Sequence, residues 1–146
     1  MRGILSRLRR SRSGSAVVDF AMVAPPLLAI AFGIFEYGRL FWTQEALEQT
    51  AIAAARCMGI LNSNCASSGA YSATSTQTYI SNTASGWGIS VPVGNMTLNN
   101  NTSCSGTTGF SQLKITTTFI TAVPEILPLP SGGSTLTAIA CFPNNS

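Results

Sequence analysis

The chain has 146 residues, of which 45% are hydrophobic and 9% charged, and it contains no histidine. That length allows one small domain at most, and the lack of histidine excludes Ser-His-Asp and Cys-His catalytic sites. The net charge of +3 is local: Arg2, Arg7, Arg9, Arg10 and Arg12 precede residue 13, whereas beyond Gly14 only Arg39, Arg56 and Lys114 face the carboxylates, so the basic cluster reads as a topology signal and not as a nucleic-acid surface, for which it is too short and lacks interleaved aromatics.

From Ala16 to Phe35 the sequence is almost wholly apolar. As a helix this run of about twenty residues measures about 30 Å, the thickness of a bilayer core. The arginines before it predict a cytoplasmic N-terminus and a far side that begins after Glu36. A cleaved secretory signal shares this arrangement. Against it stand the length of the run, a helical pattern that continues past it, the lack of a small-residue cleavage site, and Asp19, the one charged side chain between Arg12 and Glu36. A carboxylate at the centre of a membrane helix costs about 2.5–3.5 kcal/mol, so an acid even near one end needs a partner or a purpose.

The helical pattern then turns amphipathic. Leu40, Leu47, Ala51, Ala54 and Met58 recur at helical spacing, Glu45, Glu48, Gln49 and Arg56 fall elsewhere, and Gly59 followed shortly by "NSN" marks a stop. A single helix from Ser15 to Met58 would extend about 66 Å. Pro25 and Pro26 interrupt it, removing two backbone donors and crowding the carbonyls of Ala21 and Met22, which predicts a kink. The kink admits two readings, a functional hinge or the ordinary tolerance of membrane helices for proline. Glu36 and Arg39 lie three apart on one face, and an exposed pair there would contribute about a few tenths of a kcal/mol.

The segment "GSAVVDFAMVAPPLLAIAFGIFEYGR" resembles the N-terminus of TadE-like proteins, pseudopilins or minor pilins of the bacterial Tad (Flp) pilus system. In that family a small residue precedes a processing site and an acid followed by an aromatic lies five residues into the mature chain. Gly14, then Ser15 through Asp19 and Phe20, reproduces the spacing, with Asp19 where the pattern usually has Glu. Pro25 and the ending Phe32-Gly33-Ile34-Phe35-Glu36-Tyr37-Gly38-Arg39 are similar too. The resemblance is specific from Gly14 to about Arg56. It implies cutting after Gly14 by an integral aspartyl prepilin peptidase, where a missing side chain lets the backbone approach the enzyme. It also implies that Asp19 of one subunit neutralises the new Ser15 amine of its neighbour, since a buried acid is tolerable when paired. The implied partners are the peptidase, other pilin or pseudopilin subunits and inner-membrane pilus assembly proteins. The implied site is the inner membrane, single-pass, with the C-terminal domain periplasmic and a possible place in an extracellular pilus.

The organisation expected is a basic leader over 1–14, removed on processing, a transmembrane segment over 15–36, its amphipathic continuation over 37–60, and a small periplasmic or extracellular α+β domain over 61–146. In that domain "NSNCASSGAYSATSTQ" reads as a loop leading into a second helix with Tyr79 and Ile80 as its packing residues. Three strands are expected. Ile89, Val91 and Val93 alternate in "ISVPVG", placed on an edge by Pro92. Leu113, Ile115, Phe119 and Val123 share one face of "LKITTTFITAV", and Leu136, Ala138, Ala140 and Phe142 share one face of "LTAIACF". A small antiparallel sheet packed on the amphipathic half of the first helix, a pilin-like α+β fold, lets each cover the other's apolar face. "PEILPLPSGG" reads as an exposed connector between the last two strands.

Cys57, Cys65, Cys104 and Cys141 all follow the apolar run. An even count in a small non-cytoplasmic domain suggests two disulfides in one of three connectivities, with Cys57–Cys65 and Cys104–Cys141 preferred on chain proximity. Zinc is the rival, but no histidine and no paired C-x-x-C spacing supports it. No metal, no cofactor and no catalytic residue is expected; Lys114 and Glu125 read as solvated surface. The function expected is that of a structural protein, a TadE-like pseudopilin that takes part in assembling, priming or capping a Tad pilus and in adherence. The alternative is a permanently anchored envelope protein whose soluble domain binds a partner.

Overall fold

A computed structural model describes residues 13–121 and 134–145, with side chains from residue 16. Helix α1 (Ser13–Gly59) is followed by a short hairpin, β1 (Ala66–Ser67) and β2 (Ala70–Tyr71), then by α2 (Ala73–Gly86), a 3-10 turn (Val93–Asn95), and strands β3 (Met96–Cys104), β4 (Thr107–Phe119) and β5 (Ser134–Pro143). The three long strands form an antiparallel sheet in the order β3-β4-β5. The architecture is α+β, a long apolar N-terminal helix laid on a small antiparallel sheet. The leader arginines, Val123, Glu125 and the connector "PEILPLPSGG" lie outside the described residues.

Local chemistry accounts for the punctuation. Ser68 and Gly69, with φ of 55° and 80°, make the two-residue turn of the first hairpin, and Ser105 and Gly106, at 51° and 85°, make that between β3 and β4. Positive φ at both positions matches the twist of the flanking strands. Ser72 caps α2 by accepting from the Ser75 N–H at 3.3 Å. Gly88, with φ of 77°, closes α2: its N–H reaches the Ser85 carbonyl while that of Ile89 reaches Ala84.

Helix α1 ends at Gly59, where the sequence marks a stop, but Gly59 is not the left-handed residue of the cap. That residue is Leu61, with φ of 50°, whose N–H bonds the Met58 carbonyl while that of Asn62 bonds Cys57. Gly59 is required by a close approach instead: a Cβ there would lie 2.6 Å from Phe142 Cδ1 and 2.8 Å from the Pro143 carbonyl oxygen.

The core lies between the second half of α1 and the sheet. Leu47, Ala51, Ala54 and Met58 bury against Leu113, Ile115 and Phe119 of β4, Leu136 and Ala138 of β5, and Ile80 and Ala84 of α2. Tyr79 packs at its edge and Ile80 is fully enclosed. Buried hydroxyls are satisfied locally, Thr50 donating to the Ala46 carbonyl at 2.7 Å and Thr76 to that of Ser72 at 2.8 Å.

One strand differs from the expectation. "ISVPVG" is not a strand; Ile89 to Pro92 has no ladder and Val93–Asn95 is a 3-10 turn. Val91 is buried, so its apolar character serves the core, but Pro92 has no N–H to give a ladder. The third strand is β3, "MTLNNNTSC", paired to β4 from Met96↔Ile115 to Cys104↔Thr107. Two register shifts interrupt that pairing, between Asn99 and Thr102 and between Thr102 and Cys104, and Gly109, with φ of 86°, lies on the β4 side of the second.

Candidate membrane and assembly surface

The first half of α1 exposes its apolar side chains on every side. Phe20 is 74% exposed, Met22 73% and Ile34 70%, and Val17, Val23, Leu27, Ile30 and Phe35 are similarly open. A helix apolar all round buries itself in lipid or in other helices. Among the described residues this is the one helix long and apolar enough to cross a membrane, and a helix of this kind suggests membrane anchoring.

Within it, Gly14 and Ser15 lie in the first turn. Asp19 stands exposed one turn further on, beside the exposed Phe20. The helix is continuous through Pro25 and Pro26.

At the other end of this surface the structure corrects the expected exposed ion pair. Arg39 Nη1 donates to Glu36 Oε2 at 2.8 Å, but Glu36 is only 2% exposed, while the Arg39 side chain is 42% exposed. The guanidinium also stands 5.3 Å from the centre of the Phe119 ring. The sheet therefore reaches α1 at the level of this pair, a tertiary contact that spacing along one helix does not reveal.

Just beyond, Tyr37, Phe41 and Trp42 remain exposed. Trp42 meets Trp87 edge to face, with ring centres 5.8 Å apart, and its Nε1 donates to the Trp87 carbonyl at 3.2 Å. The clustering of aromatics directly after the apolar run is a signal the sequence offers for this region; the partner Trp87 is visible only once the chain is folded.

Both disulfides lie away from this surface. Cys57 joins Cys65, with Cα atoms 5.8 Å apart, and ties the end of α1 to the following loop. Cys104 joins Cys141, with Cα atoms 6.5 Å apart, linking β3 to β5 across Gln112 of the strand between them. No cysteine is free and no metal-holding cluster occurs among the described residues. Lys114 is exposed.

Residues 14–56 match the family model for TadE-like protein. The match begins at Gly14, takes in Asp19, both prolines and the Glu36–Arg39 pair, and ends before Cys57, so it covers α1 and none of the sheet. No curated protein and no solved structure matches the chain.

Proposed function

We propose that this chain is a membrane-anchored pseudopilin of a Tad (Flp) pilus apparatus, cut after Gly14 by a prepilin peptidase and engaged in pilus assembly and adherence. The observation that carries the proposal is the family match over 14–56, which starts at the glycine of the cutting site and spans the exposed helix. Before cutting, the leader arginines hold the N-terminus on the cytoplasmic side of the inner membrane and place the sheet domain in the periplasm. Cutting removes that charge cluster, which lowers the barrier to leaving the bilayer, and creates a positive amine on Ser15. Asp19 of one subunit then neutralises the Ser15 amine of a neighbour as the exposed helices pack together and exchange lipid for protein. The sheet domain rides on the outside of such an assembly, with no catalytic role.

N-terminal sequencing of protein from native membranes tests the reading. The mature chain is expected to begin at Ser15, and a bulky residue at Gly14 to block cutting. Recovery of an intact Met1 terminus from cells with an active peptidase would overturn it in favour of a permanent anchor.

A further inference from the structure

Residues from three separate parts of the chain gather at one level of α1. Trp42 and Trp87, the two tryptophans of the sequence, lie 45 positions apart and meet there, yet stay 57% and 38% exposed. The turn after α2 brings Gly88 and Ile89 into a shallow groove with Phe35, Arg39 and Trp42. The end of β4 brings Phe119 beside Arg39 and leaves Ile120 77% exposed, in a second groove shared with Arg39, Thr43 and Ile89. The opposite end of the domain differs: its cleft beside Gly59 is lined by Asn100, Asn101, Asn144 and Asn145.

The level is set by the length of the apolar run. If Ala16 to Phe35 fills the hydrocarbon core, Tyr37 to Trp42 follow by about 3–10 Å at the helical rise. The interfacial layer on each side of a bilayer is about 5–8 Å thick, so these residues fall within it or at its outer edge. Tryptophan and tyrosine concentrate in that layer because an apolar ring and a polar tip are accommodated together. We propose that the membrane-proximal end of the soluble domain, Trp87 with Ile89 and Ile120, is seated with Tyr37, Phe41 and Trp42 in the phospholipid headgroup layer. The domain thus lies against the bilayer surface before assembly instead of standing clear of it. Lipid is the occupant because the patch is continuous with the exposed apolar surface of the first half of α1, and because its rim is the half-exposed Arg39, whose charge is shared with Glu36 and whose apolar stem lies along that surface. This inference rests on the membrane-spanning reading of α1.

The test uses the full chain in vesicles of phosphatidylethanolamine and phosphatidylglycerol, with Trp42→Phe leaving Trp87 as sole reporter and Trp87→Phe leaving Trp42. Lipids brominated near the headgroup end of their acyl chains should quench Trp87 more than lipids brominated near the chain ends, and acrylamide in the water should quench it weakly. Further dilution of the protein in lipid should change neither result. Quenching of Trp42 alone, with Trp87 open to acrylamide, would show a domain held clear of the bilayer and overturn the inference while leaving the span intact. Loss of bromolipid quenching from both would remove the span and the inference together. Shielding of Trp87 from acrylamide that disappears on dilution would assign the patch to a second copy of the chain, again overturning it.

Discussion

Along α1 the apolar side chains from Val17 to Phe35 point in every direction and stay open, whereas Leu47, Ala51, Ala54 and Met58 fall on one stripe and disappear beneath the sheet. Both halves belong to one unbroken helix. What separates them is the arrangement of polar residues. Glu45, Glu48, Gln49 and Arg56 mark a solvated face in the second half, and the first half has no such face. Side-chain pairs on the solvated face support the helix locally, Gln44 donating to Glu48 and Gln49 to Glu45, each at 2.7 Å. The second half thus contributes to the domain's stability, while the first is reserved for surroundings outside the folded chain.

The largest effect expected from breaking this division is at Asp19. Asp19→Asn should leave membrane insertion intact or improved, since an amide is cheaper to bury than a carboxylate, and should leave the sheet domain as stable as before. Assembly should fail, because a buried amine without its counter-charge costs about 3–5 kcal/mol. Asp19→Glu should assemble. Comparing N-terminal processing, pilus formation and domain stability in the two variants checks this, and full piliation by the Asn variant would refute the charge-pairing role.

One leucine from each half separates their contributions to folding. Leu47 is fully buried and Leu28 is 53% exposed. Leu47→Ala should destabilise the domain by about 2–5 kcal/mol through lost transfer energy and a residual cavity. Leu28→Ala should change it by no more than about 0.5 kcal/mol. Denaturant unfolding in detergent micelles reads both, and a comparable loss from Leu28→Ala would mean that the first half packs on the domain after all.

Gly59 probes the far end of the buried half. Gly59→Ala puts a methyl where the Phe142 ring and the Pro143 carbonyl already stand, and the carbonyl cannot swing aside as a side chain can. An overpacking cost of about 1–3 kcal/mol is expected in the same unfolding experiment. A Leu61→Gly variant, which relieves the left-handed residue at the helix end, should be neutral or stabilising in contrast. A Gly59→Ala variant as stable as the parent would show that the close approach does not govern this end.

The same division explains what could be read from the sequence. The stripe on α1 and the alternation in β4 and β5 are written in leucine, isoleucine, phenylalanine and alanine, so periodicity alone identifies them. β3 alternates equally well in burial, but after Met96 and Leu98 its inward positions are Asn100, Thr102 and Cys104, and a polar strand carries no hydrophobic period. Its clearest mark is the Ser105-Gly106 turn that joins it to β4. The reverse holds for "ISVPVG", where Ile89, Val91 and Val93 alternate without pairing. The chain-proximity argument for the cysteines agrees with the two disulfides because hairpin pairing brings β3 and β5 to either side of β4, although β3 itself was not among the expected strands. The burial of Glu36 could not be read at all, since it depends on the folded domain reaching the start of the amphipathic half.

The smallest loss expected from breaking a contact within the folded domain is at the join itself. Arg39→Gln removes a 2.8 Å ion pair with Glu36 and a cation–ring contact of 5.3 Å with Phe119. An ion pair with one half-exposed member contributes about 0.2–1 kcal/mol, and a cation over an aromatic ring at such a site about 0.5–1 kcal/mol. The combined loss should therefore be on the order of 1 kcal/mol, below that of Leu47→Ala, and the ionic share should shrink at high salt. Arg39→Lys should recover part of the ionic share and less of the ring contact, because the planar guanidinium is the better ring partner. A loss as large and as insensitive to salt as that of Leu47→Ala would mean that the pair is desolvated from both sides. The boundary between the two halves would then lie before Glu36, and the domain's packed region would extend into the segment otherwise given to the membrane.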